Sequence, residues 1–378
     1  MLPLAPSAPR RRFAYLGHPT SGHASPVLLL VVAAVIALGA AVALVFSIKP
    51  AASPLEKASG AAPQATAPLA WQSVGAQGLE LGQFQQPRGI VGLADGSFVV
   101  VDREARVQRF SAAGTPLSLW SMKDGRRGMT PKGVCALPNG NLLFCDTHYG
   151  RILELTLAGE WVKQWAGPGT GPGEFSHPLS CCVNKDLGRA YIVEYHSYND
   201  RVQIFTLDGK FLKAFGAYGS GPAQFERPSG ITLDKQGNVY VADACNHRVQ
   251  KFDPDGNLLK IFGKMGVAEG ELRYPYDIAC GDEPIPGKAE KKQVLYVAEY
   301  NNMRISVFDL EGNFLRFIGQ PGKGDEQFAS PWSLTVDAKG RLLVSDTGNH
   351  RVQIFDFSAT RVAATNEMEP QMNADKRR

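Results

Sequence analysis

The sequence predicts an all-β fold: a six-bladed β-propeller of four-stranded antiparallel blades, preceded by one transmembrane helix. Three observations carry this expectation. A proline-centred pattern recurs at Pro87, Pro131, Pro178, Pro228, Pro275 and Pro331, at intervals of 44, 47, 50, 47 and 56 residues. The chain has 40 glycines and 25 prolines among 378 residues without a Gly-X-Y period, so it is rich in turns and is neither a helical bundle nor a collagen. Finally, Val27 to Ile48 is a run of 22 uncharged residues, which at about 1.5 Å per helical residue crosses a bilayer core of about 30 Å.

The N-terminal elements follow from charge and composition. Residues 1–26 carry Arg10, Arg11 and Arg12 and no acid, whereas Lys49 and Lys57 follow the apolar run. This bias predicts a single-pass anchor with a short cytoplasmic N-terminus and the large domain periplasmic or extracellular. A cleaved secretory signal is the alternative, although such signals have a shorter apolar stretch of roughly 7–15 residues. Residues 49–70 are rich in Ala, Pro and Ser and read as a semi-extended tether, and residues 358–378 read as a polar, disordered tail.

The repeat is clearest in residues 225–263, where four short apolar runs alternate with turn signals. Strands are expected at Ile231–Leu233, Val239–Ala242, Val249–Phe252 and Leu258–Phe262, joined at Gly237-Asn238, Asp243–His247 and Asp255-Gly256. One such meander has two apolar faces and cannot cover both, so copies must stack face to face and close into a ring. The sixth copy ends after its third strand, Arg351–Phe355, while Trp71–Gly75 looks like the missing fourth strand. The N-terminal strand should therefore complete the last blade, giving a propeller over residues 71–357 without a free edge.

DACNHRVQKF at 243–252 and DTGNHRVQIF at 346–355 resemble the NHL repeat. Asp146 with Arg151, Glu194 with Arg201 and Glu299 with Arg304 are looser versions, and Asp102 with Arg106 is one residue short. An aromatic or leucine before the proline recurs at Phe175, Phe225, Leu272 and Phe328. The resemblance implies a six-bladed propeller that serves recognition, outside the membrane in some bacterial sensors.

An acid and an arginine that recur in every blade should fix a loop through charge-assisted hydrogen bonds, and the Asn-His-Arg residues His247 and His350 share that architectural reading. Glycine-rich stretches such as 167–173 lie between blades with no helix to follow and are loops, not phosphate cradles. A ligand site must break the symmetry. The residue after each marker proline should face the central mouth, and around the ring it reads Arg88, Lys132, Leu179, Ser229, Tyr276 and Trp332. Arg88, Lys132, Tyr276 and Trp332 are thus the candidate ligand-binding residues, suited to an anionic or carbohydrate-like group or a peptide carboxylate.

A second set, His148, His177 and His196 with Glu194, offers the donor types of a divalent transition metal, without an HExxH motif or another fixed ligand spacing. Apart from that set no cofactor is expected. Peptidyl-hydroxyglycine lyases resemble this architecture and place zinc-binding histidines on the inner strands, but none of the six mouth positions is histidine. There is no GxSxG elbow or Walker A loop either. The six cysteines form no CxxC pair and read as buried thiols, with a Cys135–Cys145 bridge across one hairpin as the oxidised alternative. Residues 281–292 lengthen the first hairpin of blade five.

Residues 71–360 carry 31 Lys+Arg against 32 Asp+Glu, so no global field draws the domain to nucleic acid. The expected function is a membrane-tethered extracytoplasmic propeller that binds a protein, peptide or envelope polymer. The alternative is a metal-dependent lyase or hydrolase built on the histidine/carboxylate set.

Overall fold

Pro87, Pro228, Pro275 and Pro331 each open the inner strand of a meander, Pro178 is the second residue of its strand and Pro131 stands two residues before its own, and turns at the expected glycines return the chain outward. The computed structural model describes residues 70–122, 131–196, 198–285, 288 and 290–358. Among them lie six four-stranded antiparallel sheets. Blade one comprises Pro87–Gly92, Phe98–Asp102, Arg106–Phe110 and Pro116–Ser121; blade two, Gly133–Ala136, Leu142–Asp146, Arg151–Leu155 and Trp161–Ala166. Blade three comprises His177–Asn184, Arg189–Tyr195, Arg201–Thr206 and Phe211–Phe215; blade four, Pro228–Leu233, Val239–Asp243, Arg248–Phe252 and Leu258–Phe262. Blade five runs through Pro275–Pro284, Lys291–Glu299, Arg304–Asp309 and Phe314–Ile318. Blade six takes Pro331–Val336, Leu342–Asp346 and Arg351–Asp356 from the C-terminal end and Ala70–Val74 from the other. Trp71 pairs with Phe355 and Val74 with Val352, so the expected closure by the first strand is present.

The inner strand of blade four starts three residues earlier than the apolar pattern predicts, at Pro228. The reason is a β-bulge. Register shifts occur between Pro87 and Gly89, Pro178 and Ser180, Pro228 and Gly230, Pro275 and Asp277, and Pro331 and Ser333. The residue after each of these prolines is the extra one, and a bulge re-aims its side chain. Directly behind, the inner strands crowd together: a Cβ on Gly133 would lie 2.5 Å from the carbonyl oxygen of Leu179, so glycine is required there.

Burial occurs between blades rather than within them. One apolar cluster joins Tyr296 and Val307 of blade five to Leu334, Val344 and Phe355 of blade six, and another joins Val352 and Ile354 of blade six to Ile90 and Phe98 of blade one. Phe84, Phe175, Phe225, Leu272 and Phe328, three positions before their prolines, are fully buried and anchor the connecting loops. The six acid–arginine pairs all form, from Asp102–Arg106 to Asp346–Arg351. Arg248 shows what they do. Its Nε donates to Asp243 at 2.8 Å and its other nitrogens donate to the carbonyls of Ser220, Gly221 and Gln224 in the loop arriving from blade three. Asp243 also accepts the backbone N–H of Glu226, so one ion pair fixes both ends of that loop.

The cysteines are unpaired. Cys135 stands opposite Leu143 and Cys145 opposite Gly133, so the hairpin register does not set these two thiols across from one another. The lengthened hairpin of blade five is pinned by Glu283, which accepts from Tyr296 Oη at 2.7 Å and from Arg316. The apolar run Val27–Ile48, the flanking segments 1–26 and 49–69, and the tail from residue 359 lie outside the described residues. Among the described residues no helix is long and apolar enough to cross a membrane.

Candidate functional site

The candidate ligand residues come together at one mouth, Arg88, Tyr276 and Trp332 from bulges and Lys132 from the position just before its inner strand. The Arg88 guanidinium lies over Trp332, 4.7 Å from the ring centroid, and Lys132 Nζ lies 5.8 Å from the same ring and 5.9 Å from that of Tyr195. Tyr276 is buried beside Trp332, with ring centroids 4.3 Å apart, and Tyr300 packs on both. Leu179 and Ser229, at the equivalent positions of blades three and four, are buried. The symmetry is therefore broken toward blades five, six, one and two.

Sequence reasoning missed a third cation. Arg227, immediately before Pro228, stands 5.3 Å from the ring of Tyr195 and 6.0 Å from that of Tyr274, and donates to Tyr274 Oη at 3.2 Å. Its signal lay one position before the marker proline rather than one after. Gln86, Arg227, Tyr274 and Ser330, all preceding marker prolines, have φ between 55° and 59°. Left-handed backbone costs a non-glycine residue on the order of 1 kcal/mol, and it is held here by hydrogen bonds from the neighbouring blade. Asp200 accepts the N–H of Arg227 at 2.7 Å, His247 Nδ1 that of Tyr274 at 2.9 Å, and His350 Nδ1 that of Gln86 at 3.2 Å. The Asn-His-Arg histidines thus brace the rim, which is the architectural role expected for them.

No carboxylate among the described residues forms an ion pair with Lys132 or Arg227, and Arg227 Nε is buried without a hydrogen-bond partner. Burial, with Arg88 and Arg227 nearby, brings the Lys132 ammonium down to about 8. Beneath the mouth the central channel opens into a cavity of about 260 Å³, lined by Lys132, Tyr276 and Trp332 above and by Ser180, Thr232 and Thr335 deeper. Asp277 also borders it. Its oxygens accept from Ser333 Oγ at 2.7 Å and from the N–H groups of Leu334 and Ile278, while burial pushes its carboxyl up to about 6.

The imidazoles of the second set also gather on this face. His177 lies 4.3 Å from His196 and 6.3 Å from His148 between ring centroids, and it packs on Tyr195 at 5.5 Å. Burial lowers the pKa of His148 and His177, with Lys132 adding to the effect on both. Glu194 does not join them. It is fully buried and accepts from Arg201 Nε at 2.7 Å, from the Ser176 N–H at 2.8 Å and from Gln203 at 2.9 Å, so both oxygens serve the loop anchor of blade three. Among the described residues no group of three or more His, Cys, Asp or Glu side chains is placed to hold a metal ion.

Comparison with known proteins bears on the fold. Residues 225–252 and 328–355 match the family model of the NHL repeat. Protein lin-41 of Caenorhabditis elegans is 48% identical over 46 residues, 12% of this chain and 4% of that protein. Human NHL repeat-containing protein 3 is 32% identical over 78 residues, 20% of this chain and 22% of that protein. The matched stretches thus span less than a quarter of either relative. Among solved structures, a protein of unknown function from Bacteroides thetaiotaomicron superposes with a TM-score of 0.56 at 14% identity, covering 76% of each chain. Virginiamycin B lyase from Staphylococcus aureus superposes with a TM-score of 0.51 at 14% identity, covering 76% of this chain and 99% of that one. At such identities the likeness concerns fold alone. The matched repeats coincide with the loop-anchoring ion pairs of blades four and six, so this chain is a six-bladed β-propeller in which two of the six blades match the NHL repeat.

Proposed function

We propose that the protein is a membrane-tethered, extracytoplasmic binding module whose propeller mouth takes an anionic group of a protein, peptide or envelope polymer. One observation carries the binding reading: Lys132 is held between Trp332 and Tyr195 without a carboxylate partner among the described residues. Aromatic faces attract a cation without neutralising it, so a cation kept this way remains available to a ligand. The tether rests on the uncharged run Val27–Ile48 and the three arginines before it. Calorimetric titration of the full chain with a Glu-rich peptide and with its Gln counterpart tests the mouth. Binding of the acidic peptide alone, abolished in Lys132→Met, supports the reading; equal heats from both peptides overturn it. Alkaline phosphatase fused after residue 70 tests the topology, and an inactive fusion overturns the extracytoplasmic placement.

The second reading is a metal-dependent lyase or hydrolase that would draw on His148, His177 and His196, whose rings gather on one face without being placed to hold a metal ion as they stand. Its test is elemental analysis of protein purified without chelators, alongside a variant carrying His148→Ala and His196→Ala. Stoichiometric transition metal that disappears in the variant supports this reading, and metal-free protein eliminates it.

A further inference from the structure

We infer that Cys135 and Cys181 are a disulfide-forming pair, joined into an inter-blade bridge when the chain folds in contact with a thiol-oxidising disulfide such as oxidised glutathione. The oxidising surroundings come from the extracytoplasmic reading above, on which this much rests; the geometry does not depend on it. Cys135 lies on the inner strand of blade two and Cys181 on that of blade three, and both belong, with Cys145, to the apolar cluster between these blades. Cys182 turns the other way and packs on the cluster shared with blade four. The two inner strands crowd together here. A Cβ on Gly133 would meet the Leu179 carbonyl oxygen at 2.5 Å and Ser180 Cα at 2.7 Å. Cys135 follows Gly133 by two residues, and Cys181 follows Leu179 by two. The Cys181 thiol reaches across to blade two and donates to the carbonyl of Leu143 at 3.7 Å, and Leu143 is the cross-strand neighbour of Cys135. Thiol-to-thiol hydrogen bonds join Cys181 to Cys135 and to Cys145. A disulfide needs side chains that converge from closely spaced backbones, and this interface supplies both.

Two partners compete for Cys181, and access separates them. Cys135 and Cys181 both border the central cavity of about 260 Å³. Cys145, on the second strand of blade two, is fully buried and outside the cavity's lining. In the exchange, the Cys181 thiol loses its proton to solvent and attacks one sulfur of oxidised glutathione, and one glutathione leaves as its thiolate. The Cys135 thiolate then attacks the Cys181 sulfur of the mixed disulfide, and the second glutathione leaves. Two protein thiols and one oxidised glutathione thus give one protein disulfide and two reduced glutathiones. Hydrogen bonding to Cys181 and burial push the Cys135 thiol well up, so little thiolate exists in the finished propeller. The exchange therefore belongs to folding, before blades two and three close on one another. The finished interface then shields the bridge from reductants. Its loop spans a whole blade, so it restrains the unfolded chain, and it ties the strand that follows Lys132 to the strand that begins at His177.

The test is cell-free synthesis of the full chain in detergent with a mixture of oxidised and reduced glutathione, followed by alkylation and mass spectrometry of the unreduced peptides. Cys135 and Cys181 should appear in one linked peptide pair, and two of the six thiols should be lost to alkylation. Synthesis with reduced glutathione alone should leave all six free, and the bridged product should unfold at a higher urea concentration than this reduced one. Cys145→Ala should still lose two thiols and Cys135→Ala none, with circular dichroism reporting that the strands have formed. Six free thiols in the folded parent overturn the bridge and leave the extracytoplasmic reading standing, because the buffer supplies the oxidant wherever the protein resides. An inactive alkaline phosphatase fusion, conversely, overturns that reading and leaves the pairing chemistry intact. A link between Cys145 and Cys181, or two thiols lost in Cys135→Ala, overturns the pair named. If Cys135→Ala does not fold, the linked peptides of the parent decide the pairing on their own.

Discussion

Arg88 stands over the indole of Trp332, joining the first inner strand of the ring to the last. The two residues meet where the inner strands of blades one and six pack together, in a ring whose last blade Ala70–Val74 completes, so the site depends on ring closure. A cation over a partly buried indole contributes about 0.5–2 kcal/mol. A double-mutant cycle of Arg88→Met and Trp332→Leu, read by urea unfolding, should therefore return a coupling energy of about 1 kcal/mol. Additive effects would mean that the two side chains share the mouth without interacting.

The loop anchors make a sharper energetic prediction. Arg248 and Asp243 form a buried pair whose members also serve loop carbonyls and an amide, whereas Lys235 and Asp282 pair at 2.7 Å on the exposed surface. Removing one partner of a buried pair strands a charge and costs about 3–5 kcal/mol, while exposed pairs contribute about 0–1 kcal/mol. Arg248→Met should lower unfolding free energy by about 3 kcal/mol and Lys235→Met by less than about 1 kcal/mol. Equal small losses in urea titrations would remove the anchoring role assigned to the repeated acid and arginine.

Closure of the ring is tested at Trp71. Its ring meets that of Phe355 with centroids 3.4 Å apart and tilts against Phe328 at 6.4 Å. Trp71 is only partly buried, so Trp71→Ala should cost about 2 kcal/mol, toward the low end for large-to-small changes. Deleting residues 70–74 should do more, because Arg351–Asp356 becomes an unpaired edge with Val352 and Phe355 uncovered. Light scattering should then show concentration-dependent association; a monomeric, equally stable deletion variant would mean that another strand closes the ring.

Much of this architecture was legible because it repeats. Prolines, glycine turns and acid–arginine pairs announce themselves in six copies, and the missing fourth strand of blade six pointed to Trp71–Gly75. The mouth was legible at Arg88, Lys132, Tyr276 and Trp332, since one position per blade faces it and those residues differ. Arg227 and Tyr274 escaped because their placement depends on left-handed backbone before a proline, a conformation no residue pattern declares. Glu194 was grouped with the histidines for its nearness in sequence, yet alternation along the strand turns it toward Arg201 while the bulge and turn carry His177 and His196 to the rim.

Lys132 gives the mouth a measurable pH signature. Its ammonium ionises at about 8 in the folded protein, against about 10.4 in an unfolded chain, because burial and the neighbouring arginines oppose its charge. Between those values the unfolded chain binds more protons, so stability rises as pH increases through the window, and below about 8 the full cost of the buried charge is present. The half-exposed setting reduces that cost by solvent screening to on the order of 2 kcal/mol. Lys132→Met removes it, and the variant should unfold at a higher Tm than the parent at pH 7, with the difference vanishing as pH approaches about 10.4. The same cation is needed for an anionic ligand, so the gain in stability should accompany a loss of binding. A variant less stable than the parent at pH 7 would show that Lys132 is a satisfied structural residue, and the ligand would then have to be sought away from the mouth.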